Sequence, residues 1–173
     1  MTQAAPQLSH GMLRAIRPED NAQVAHIIRA VLTEHGCTGP GYAIHDPEVD
    51  AMYETYQQPR SQYFVVEELG VVAGGGGVAP LKNGDGMTCE LQKFYVLPQY
   101  RGRGYGRLLL DASLAAARQE GFALCYLETL PFMEAARAMY EQAGFSEIDG
   151  PMGNTGHYSC DKWYVKELTG GAA

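Results

Sequence analysis

The spacing of apolar residues divides the chain into short strands alternating with amphipathic helices. Met12–Ile16 reads as a short strand. Val24, Ile27, Ile28, Val31 and Leu32 then recur at i, i+3, i+4, i+7 and i+8, which predicts a helix over 18–35, opened by Pro18 and stopped at Gly36. Residues 37–45 hold Gly39, Pro40 and Gly41 and predict a loop. Asp46-Pro47 reads as a capped start of a second helix, carrying Met52, Tyr53 and Tyr56 and running to about Gln57. Tyr63–Leu69 and Val71–Ala79 form a hairpin pattern about Gly70. Its second strand contains Gly74-Gly75-Gly76-Gly77, which weakens a strand. Two explanations stay open for the run: close packing or a bulge, and room for a ligand against the sheet.

After a turn at residues 82–86, Cys89–Leu97 has strand character and ends at Pro98. Leu108, Leu109, Leu110, Ala112, Leu114, Ala115 and Ala117 predict a helix that stops at Gly121. Ala123–Thr129 is continuously apolar, hence a buried strand. Met133–Ala143 predicts a helix ended by Gly144, and Phe145–Ile148 and Lys162–Leu168 close the pattern around a glycine-rich loop at 150–156. The order is β-α-α-β-β-β-α-β-α-β-β. It predicts an α/β fold, a mixed, mostly antiparallel sheet with helices on both faces. One domain is expected over 11–168, with flexible tails at 1–10 and 169–173.

Composition narrows the classes. With 46% hydrophobic and 19% charged residues among 173, one full core is within reach. No apolar run approaches the roughly 18 residues of a membrane span. No basic-then-apolar signal layout opens the chain, so a cytoplasmic protein is expected. Cys37, Cys89, Cys125 and Cys160 are far apart, with no C-x-x-C pair. Reduced thiols and no metal are expected. A net charge of −7 argues against nucleic acid as a partner.

One stretch departs from that acidic background. Residues 101–107 read Arg-Gly-Arg-Gly-Tyr-Gly-Arg and sit between a strand pattern and a helix pattern. Glycines admit close approach to main-chain N–H groups, and a helix start presents unpaired donors, so the segment is an anion cradle suited to a pyrophosphate. It departs from the dinucleotide pattern G-x-G-x-x-G, because Arg107 stands where the third glycine belongs. It is not a Walker A loop, since no Gly-Lys pair occurs in the chain. Arg101, Gly104 and Gly106 do match [Arg/Gln]-x-x-Gly-x-[Gly/Ala]. That is the acyl-CoA signature of the GNAT N-acetyltransferase superfamily.

The surrounding sequence extends the likeness. Val96-Leu97-Pro98-Gln99-Tyr100-Arg101-Gly102-Arg103-Gly104-Tyr105-Gly106 resembles the family's V-x-P-x-x-R-G-x-G-x-G run. Ala136…Tyr140…Gly144-Phe145 resembles its A-x-x-x-Y-x-x-x-G-F segment. The resemblance covers residues 13–168. Gly156-His157-x-x-Cys160 is similar to a subgroup of bacterial acetyltransferases of unassigned substrate.

The resemblance implies acetyl-CoA as co-substrate and direct transfer to an amine, without a covalent enzyme intermediate. It places the main chain of Tyr95, Val96 and Leu97 along the pantetheine arm, with Arg101, Gly102, Arg103, Gly104, Tyr105, Gly106 and Arg107 at the phosphates. Glu90, six residues before Val96, is the implied base. Gln92 shares its strand face and is expected to orient the acceptor. Tyr140 falls on the position of the general acid, though packing in its helix's apolar stripe is the competing account. His157 is a candidate substrate contact or second base. A Cys160–His157 nucleophile is disfavoured, and Cys125 reads as inert core. Where the family often has Asn after the fifth strand, this chain has Leu127-Glu128-Thr129, and Thr129 is the expected replacement contact. The expected activity is acetyl transfer to a primary amine of a small molecule, amino acid or peptide. The alternatives are a non-catalytic acyl-CoA sensor on the same fold and a nucleotide-binding α/β domain. Dimers are common in the family, so a homodimer is the expected assembly.

Overall fold

The computed structural model describes residues 11–169, so the expected tail at 1–10 and all but Thr169 of the tail at 169–173 lie outside the described residues. The elements follow in the expected order: β1 (Met12–Ala15), α1 (Asn21–Glu34), α2 (Met52–Thr55), β2 (Gln62–Glu68), β3 (Val71–Pro80), β4 (Thr88–Val96), α3 (Tyr105–Gln119), β5 (Leu124–Thr129), α4 (Glu134–Gln142), β6 (Ser146–Ile148) and β7 (Lys162–Glu167). One seven-stranded sheet has the order β1-β2-β3-β4-β5-β7-β6. Every neighbouring pair is antiparallel except β4 and β5.

Strand alternation sends side chains to two cores. On β2, Tyr63 and Val65 join Ile28, Val31 and Met52 under α1 and α2, while Val66 turns to Tyr105 and Leu109 of α3. Beyond them Leu110, Leu114, Phe122, Leu127 and Tyr164 fill the space beneath α3 and α4. Helices therefore cover both faces. Among the described residues, no helix is long and apolar enough to cross a membrane.

The second helix is shorter than its sequence pattern. Pro47–Asp50 forms a tight 3₁₀ turn, Ala51 leaves helical geometry at φ −137°, and only Met52–Thr55 is α-helical. Asp46 makes no side-chain cap. Its carboxylate is spent on Lys93 and His157 instead.

The glycine run has a packing cause. A Cβ on Gly75 would lie 2.7 Å from the Tyr63 ring, and one on Gly74 would lie 2.8 Å from the Tyr95 carbonyl oxygen. Gly76 is pressed against the Phe94 ring and Gly77 against the Gln62 carbonyl. The run also faces a β-bulge. Gly75 pairs with Tyr95 and Gly77 with Gln92, so Lys93 and Phe94 together oppose Gly76. Lys93 sits in the left-handed region at φ 49°, and its carbonyl accepts the Tyr63 hydroxyl at 2.7 Å.

Between β4 and β5 the ladder has three rungs: Thr88 to Leu124, Cys89 to Cys125 and Glu90 to Tyr126. Past Glu90, β4 continues along β3 and β5 continues along β7, and the two separate. The sheet is forked at its centre.

The close packing of Gly77 gives a test. A methyl group there meets a main-chain carbonyl, which cannot rotate away. Gly77→Ala is expected to destabilise the protein by about 1–3 kcal/mol in urea unfolding. Gly150→Ala, where the added carbon would meet nothing within 4 Å, stays within about 0.5 kcal/mol of wild type. Equal stability of the two variants would refute the packing account.

Candidate functional site

The loop between β4 and α3 is shaped by two left-handed glycines. Pro98–Tyr100 forms one 3₁₀ turn, Gly102 has φ 74°, and Gly104 has φ 81° immediately before α3. Such alternation turns successive N–H groups to one side. Among the described residues, no hydrogen-bond partner reaches the main-chain N–H groups of residues 102–107. The positive end of the α3 dipole adds to them. These donors suit the phosphates expected from the sequence.

The arginines of this loop are already engaged. Arg101 forks onto Glu34 at 2.9 and 2.8 Å and also reaches the Val96 carbonyl at 3.0 Å. Arg103 pairs with Glu68 at 2.7 Å, and Arg107 with Asp111 at 2.9 Å. Exposed pairs of this kind exchange cheaply for a stronger anion. The Tyr105 ring is buried and its hydroxyl donates to Glu68, so this side chain anchors the helix start. Gly106 faces Met139 across the α3–α4 contact.

The fork offers main-chain groups as well. The Leu97 N–H bonds the Ala73 carbonyl at 2.9 Å, and the Leu97 carbonyl accepts from Tyr100 at 2.9 Å. Leu97 thus departs from the expected set, because its polar main chain is occupied within the fold. Tyr95 pairs with Gly75 on that same edge. Alternation leaves the Val96 N–H facing the gap, while the Val96 carbonyl accepts from Arg101.

Below the gap lies a cavity of about 90 Å³, walled by β4 and β5 and closed by α4, Tyr42 and the loop before β7. Glu90, Gln92, Tyr95, Thr129, Tyr140 and His157 all line it, so the fold gathers these predicted residues at one place. Glu90 is only 4% exposed and stands on the last rung before the fork. Burial, with nearby Glu128, outweighs Gln92, His157 and Lys93 and pushes its carboxyl up to about 7. Gln92 donates to Glu90 Oε2 at 2.8 Å and accepts from the Tyr56 hydroxyl at 2.7 Å. The two share a face, as strand alternation requires. Thr129 is buried, with Oγ1 3.7 Å from Met133 Sδ.

Tyr140 borders the cavity within an aromatic group of Phe94, Phe145 and Tyr164. Burial raises its phenol above the ordinary value. Among the described residues its hydroxyl has no hydrogen-bond partner. Packing and a free proton donor coexist in this one side chain.

His157 stands between two carboxylates. Its Nε2 lies 2.8 Å from Asp46 Oδ2 and its Nδ1 3.5 Å from Glu128 Oε2. Burial alone would lower its pKa, but the two carboxylates outweigh that and hold it at about 9. An imidazolium bound on both sides has no lone pair to offer. The Cys160 thiol is pushed up to about 12, chiefly by burial. Cys125 is buried in β5, as expected of core.

Three groups escaped the sequence reading. Lys93 Nζ is buried against Asp46, with Glu48 at 3.4 Å. Asp46 had read as a helix cap. Burial would raise its pKa, but His157 and Lys93 keep it below the ordinary value. Glu128 accepts from Tyr126 and Thr155, each at 2.8 Å. The one available signal was a lysine inside an otherwise pairing strand. The bulge that turns it toward the cavity breaks the alternation on which such readings rest.

Residues 24–145 match the model of the acetyltransferase (GNAT) family. An uncharacterised N-acetyltransferase, YjgM of Escherichia coli K12, is 43% identical over 169 residues, which cover 97% of this chain and all of that protein. A GNAT-family acetyltransferase structure from Staphylococcus aureus Mu50 superposes with a TM-score of 0.81 at 18% identity, over 92% of this chain and 99% of that one. The yncA acetyltransferase of Salmonella typhimurium, solved with its cofactor acetyl-CoA, gives a TM-score of 0.73 at 25% identity, over 95% and 98% of the two chains. The family match spans most of the chain and includes the forked strands, the glycine cradle and α4. This chain is an acetyltransferase and belongs to the GNAT family.

Proposed function

We propose that this enzyme moves an acetyl group from acetyl-CoA to a primary amine of a small molecule, amino acid or peptide by direct attack, with Glu90 as the proton acceptor. The observation that carries the reading is the place of Glu90. It is a buried carboxylate on the last rung before the fork, lining the cavity between β4 and β5. A built proton acceptor at that point speaks against a non-catalytic sensor.

The need for it follows from acceptor chemistry. At pH 7 an amine of pKa ~10.4 costs roughly 4.6 kcal/mol to deprotonate, and an α-amine near pKa ~8 about 1.4 kcal/mol. A carboxyl held near neutrality is matched to this proton transfer. Gln92 and Tyr56 fix its orientation. The donors of residues 102–107 are suited to the pyrophosphate, and the Val96 N–H to the arm that carries the thioester. Tyr140, kept protonated by burial, is placed to return a proton to the leaving thiolate. The positive charge of His157 is tied to Asp46 and Glu128, so it orders the acceptor end of the cavity.

Glu90→Gln is expected to lower acetyl transfer by roughly 10²–10⁴-fold. The rise in melting temperature on adding CoA should be retained. Loss of both would point to a folding defect, and full activity would sink the assignment. A protonated Glu90 cannot accept, so kcat/KM of the wild type falls with acidification through an inflection near 7 that Glu90→Gln lacks. Gln92, Lys93, Glu128 and His157 are the polar groups that set this inflection. Tyr140→Phe should lower kcat with little change in CoA binding. An unchanged kcat would leave Tyr140 a packing residue only.

A further inference from the structure

Glu90 from β4, Glu128 from β5 and His157 from the loop before β7 meet on the cavity wall. One ligand atom from each lies within 4.8 Å of the others. His157 Nδ1 and Glu128 Oε2 are 3.5 Å apart, close to the roughly 3.3 Å edge between two ligands of a tetrahedral zinc ion. A second observation points to a ligand. Glu90 is 4% exposed, yet only its Oε2 receives a hydrogen bond. Among the described residues no donor reaches Oε1, and Glu90 borders the cavity.

Each of the three side chains is also held from behind. Asp46 takes the far nitrogen of His157 at 2.8 Å, leaving Nδ1 toward the carboxylates. Tyr126 and Thr155 hold Glu128 at 2.8 Å, and Gln92 holds Glu90. A histidine aimed by a carboxylate on its other nitrogen is the usual support of a metal-ligating imidazole. The neighbouring cation, Lys93, is matched by Asp46 and Glu48. The absence of cysteine pairs does not bear on this donor set.

We propose that Glu90, Glu128 and His157 form a site for a divalent transition-metal ion of the zinc class, whose binding silences acetyl transfer. One imidazole nitrogen and two carboxylate oxygens suit zinc, with the fourth position open to the cavity. The ion displaces the proton of His157, which leaves to solvent, and takes the Glu90 oxygen that would otherwise accept from the amine. The silencing rests on the proposed role of Glu90; the binding does not.

The test uses the full chain, stripped with a chelator and titrated with zinc sulfate against a chromophoric zinc indicator, with no acetyl-CoA present. One zinc per chain is expected. His157→Ala and Glu128→Gln should each weaken binding at least 100-fold, and Asp46→Asn by about 10–100-fold. Magnesium, which prefers octahedral oxygen ligands, should not compete. Cobalt(II) in place of zinc should give visible d–d absorption that Glu128→Gln loses, a readout that holds even if the histidine variant fails to fold. No stoichiometric zinc, or wild-type affinity in both ligand variants, overturns the site. In a parallel assay transfer should fall with the same zinc midpoint. Zinc bound with full transfer activity overturns the silencing, while the Glu90→Gln experiment without metal judges the base separately.

Discussion

The parting of β4 from β5 is the constraint on which the rest of this molecule depends. Main-chain polar groups in a protein interior must be paired. Up to Glu90 and Tyr126 the two parallel strands satisfy one another, and beyond that rung each is satisfied only from its outer neighbour. The inner edges thus face a gap in the middle of a sheet, where a closed ladder would otherwise run. The bulge at Lys93 and Phe94 adds twist to β4 at this point, and the glycines of β3 give the bulge room. A substituted glycine run would press β4 outward. The fork, the bulge and the glycines form one device.

The charges in the cavity follow from that device. Opening the sheet puts Glu90, Lys93, Glu128 and His157 where water is scarce, and unpaired buried ions there would be prohibitive. The solution is a chain of pairs. Asp46 binds both Lys93 and His157, His157 approaches Glu128, and Glu128 is completed by Tyr126 and Thr155. Glu90 alone lacks a cation in direct contact, which is why its carboxyl rises while Asp46 stays depressed. Burial raises both carboxyls, Glu90 being the more deeply buried, and Asp46 has Lys93 and His157 in contact to reverse it.

Much of this was legible in the sequence. The apolar periodicity of residues 24–32 and 108–117 gave α1 and α3, and the order of elements gave a sheet with helices on both faces. The cradle was legible because glycine, arginine and proline restrict the main chain locally. Glu90 and Gln92 came out on one face because β4 alternates regularly until the bulge. What was hidden depends on tertiary partners. Asp46 before Pro47 has the form of a helix cap, and nothing local says that Lys93 and His157 will claim it. Lys93 was hidden by the bulge, which a pattern of period two does not contain. The silence of Leu97 was equally tertiary, since its N–H is claimed by Ala73 on β3.

The network also bears on two chemistries that the sequence allowed. A histidine three residues before a cysteine suggests a nucleophilic pair, which requires a thiolate, made either when a neutral imidazole takes the thiol proton or as an ion pair with the imidazolium. Here burial pushes the Cys160 thiol up to about 12, and the imidazole is held protonated between Asp46 and Glu128. The thiol keeps its proton, and the imidazolium, already paired with two carboxylates, has no lone pair to take it. Burial lifts the Glu90 carboxyl to about 7, which suits proton removal from an amine better than attack on a thioester. The electrostatics of the cavity thus favour a direct route, in which the acceptor nitrogen itself meets the acetyl carbon and the protein handles only the protons.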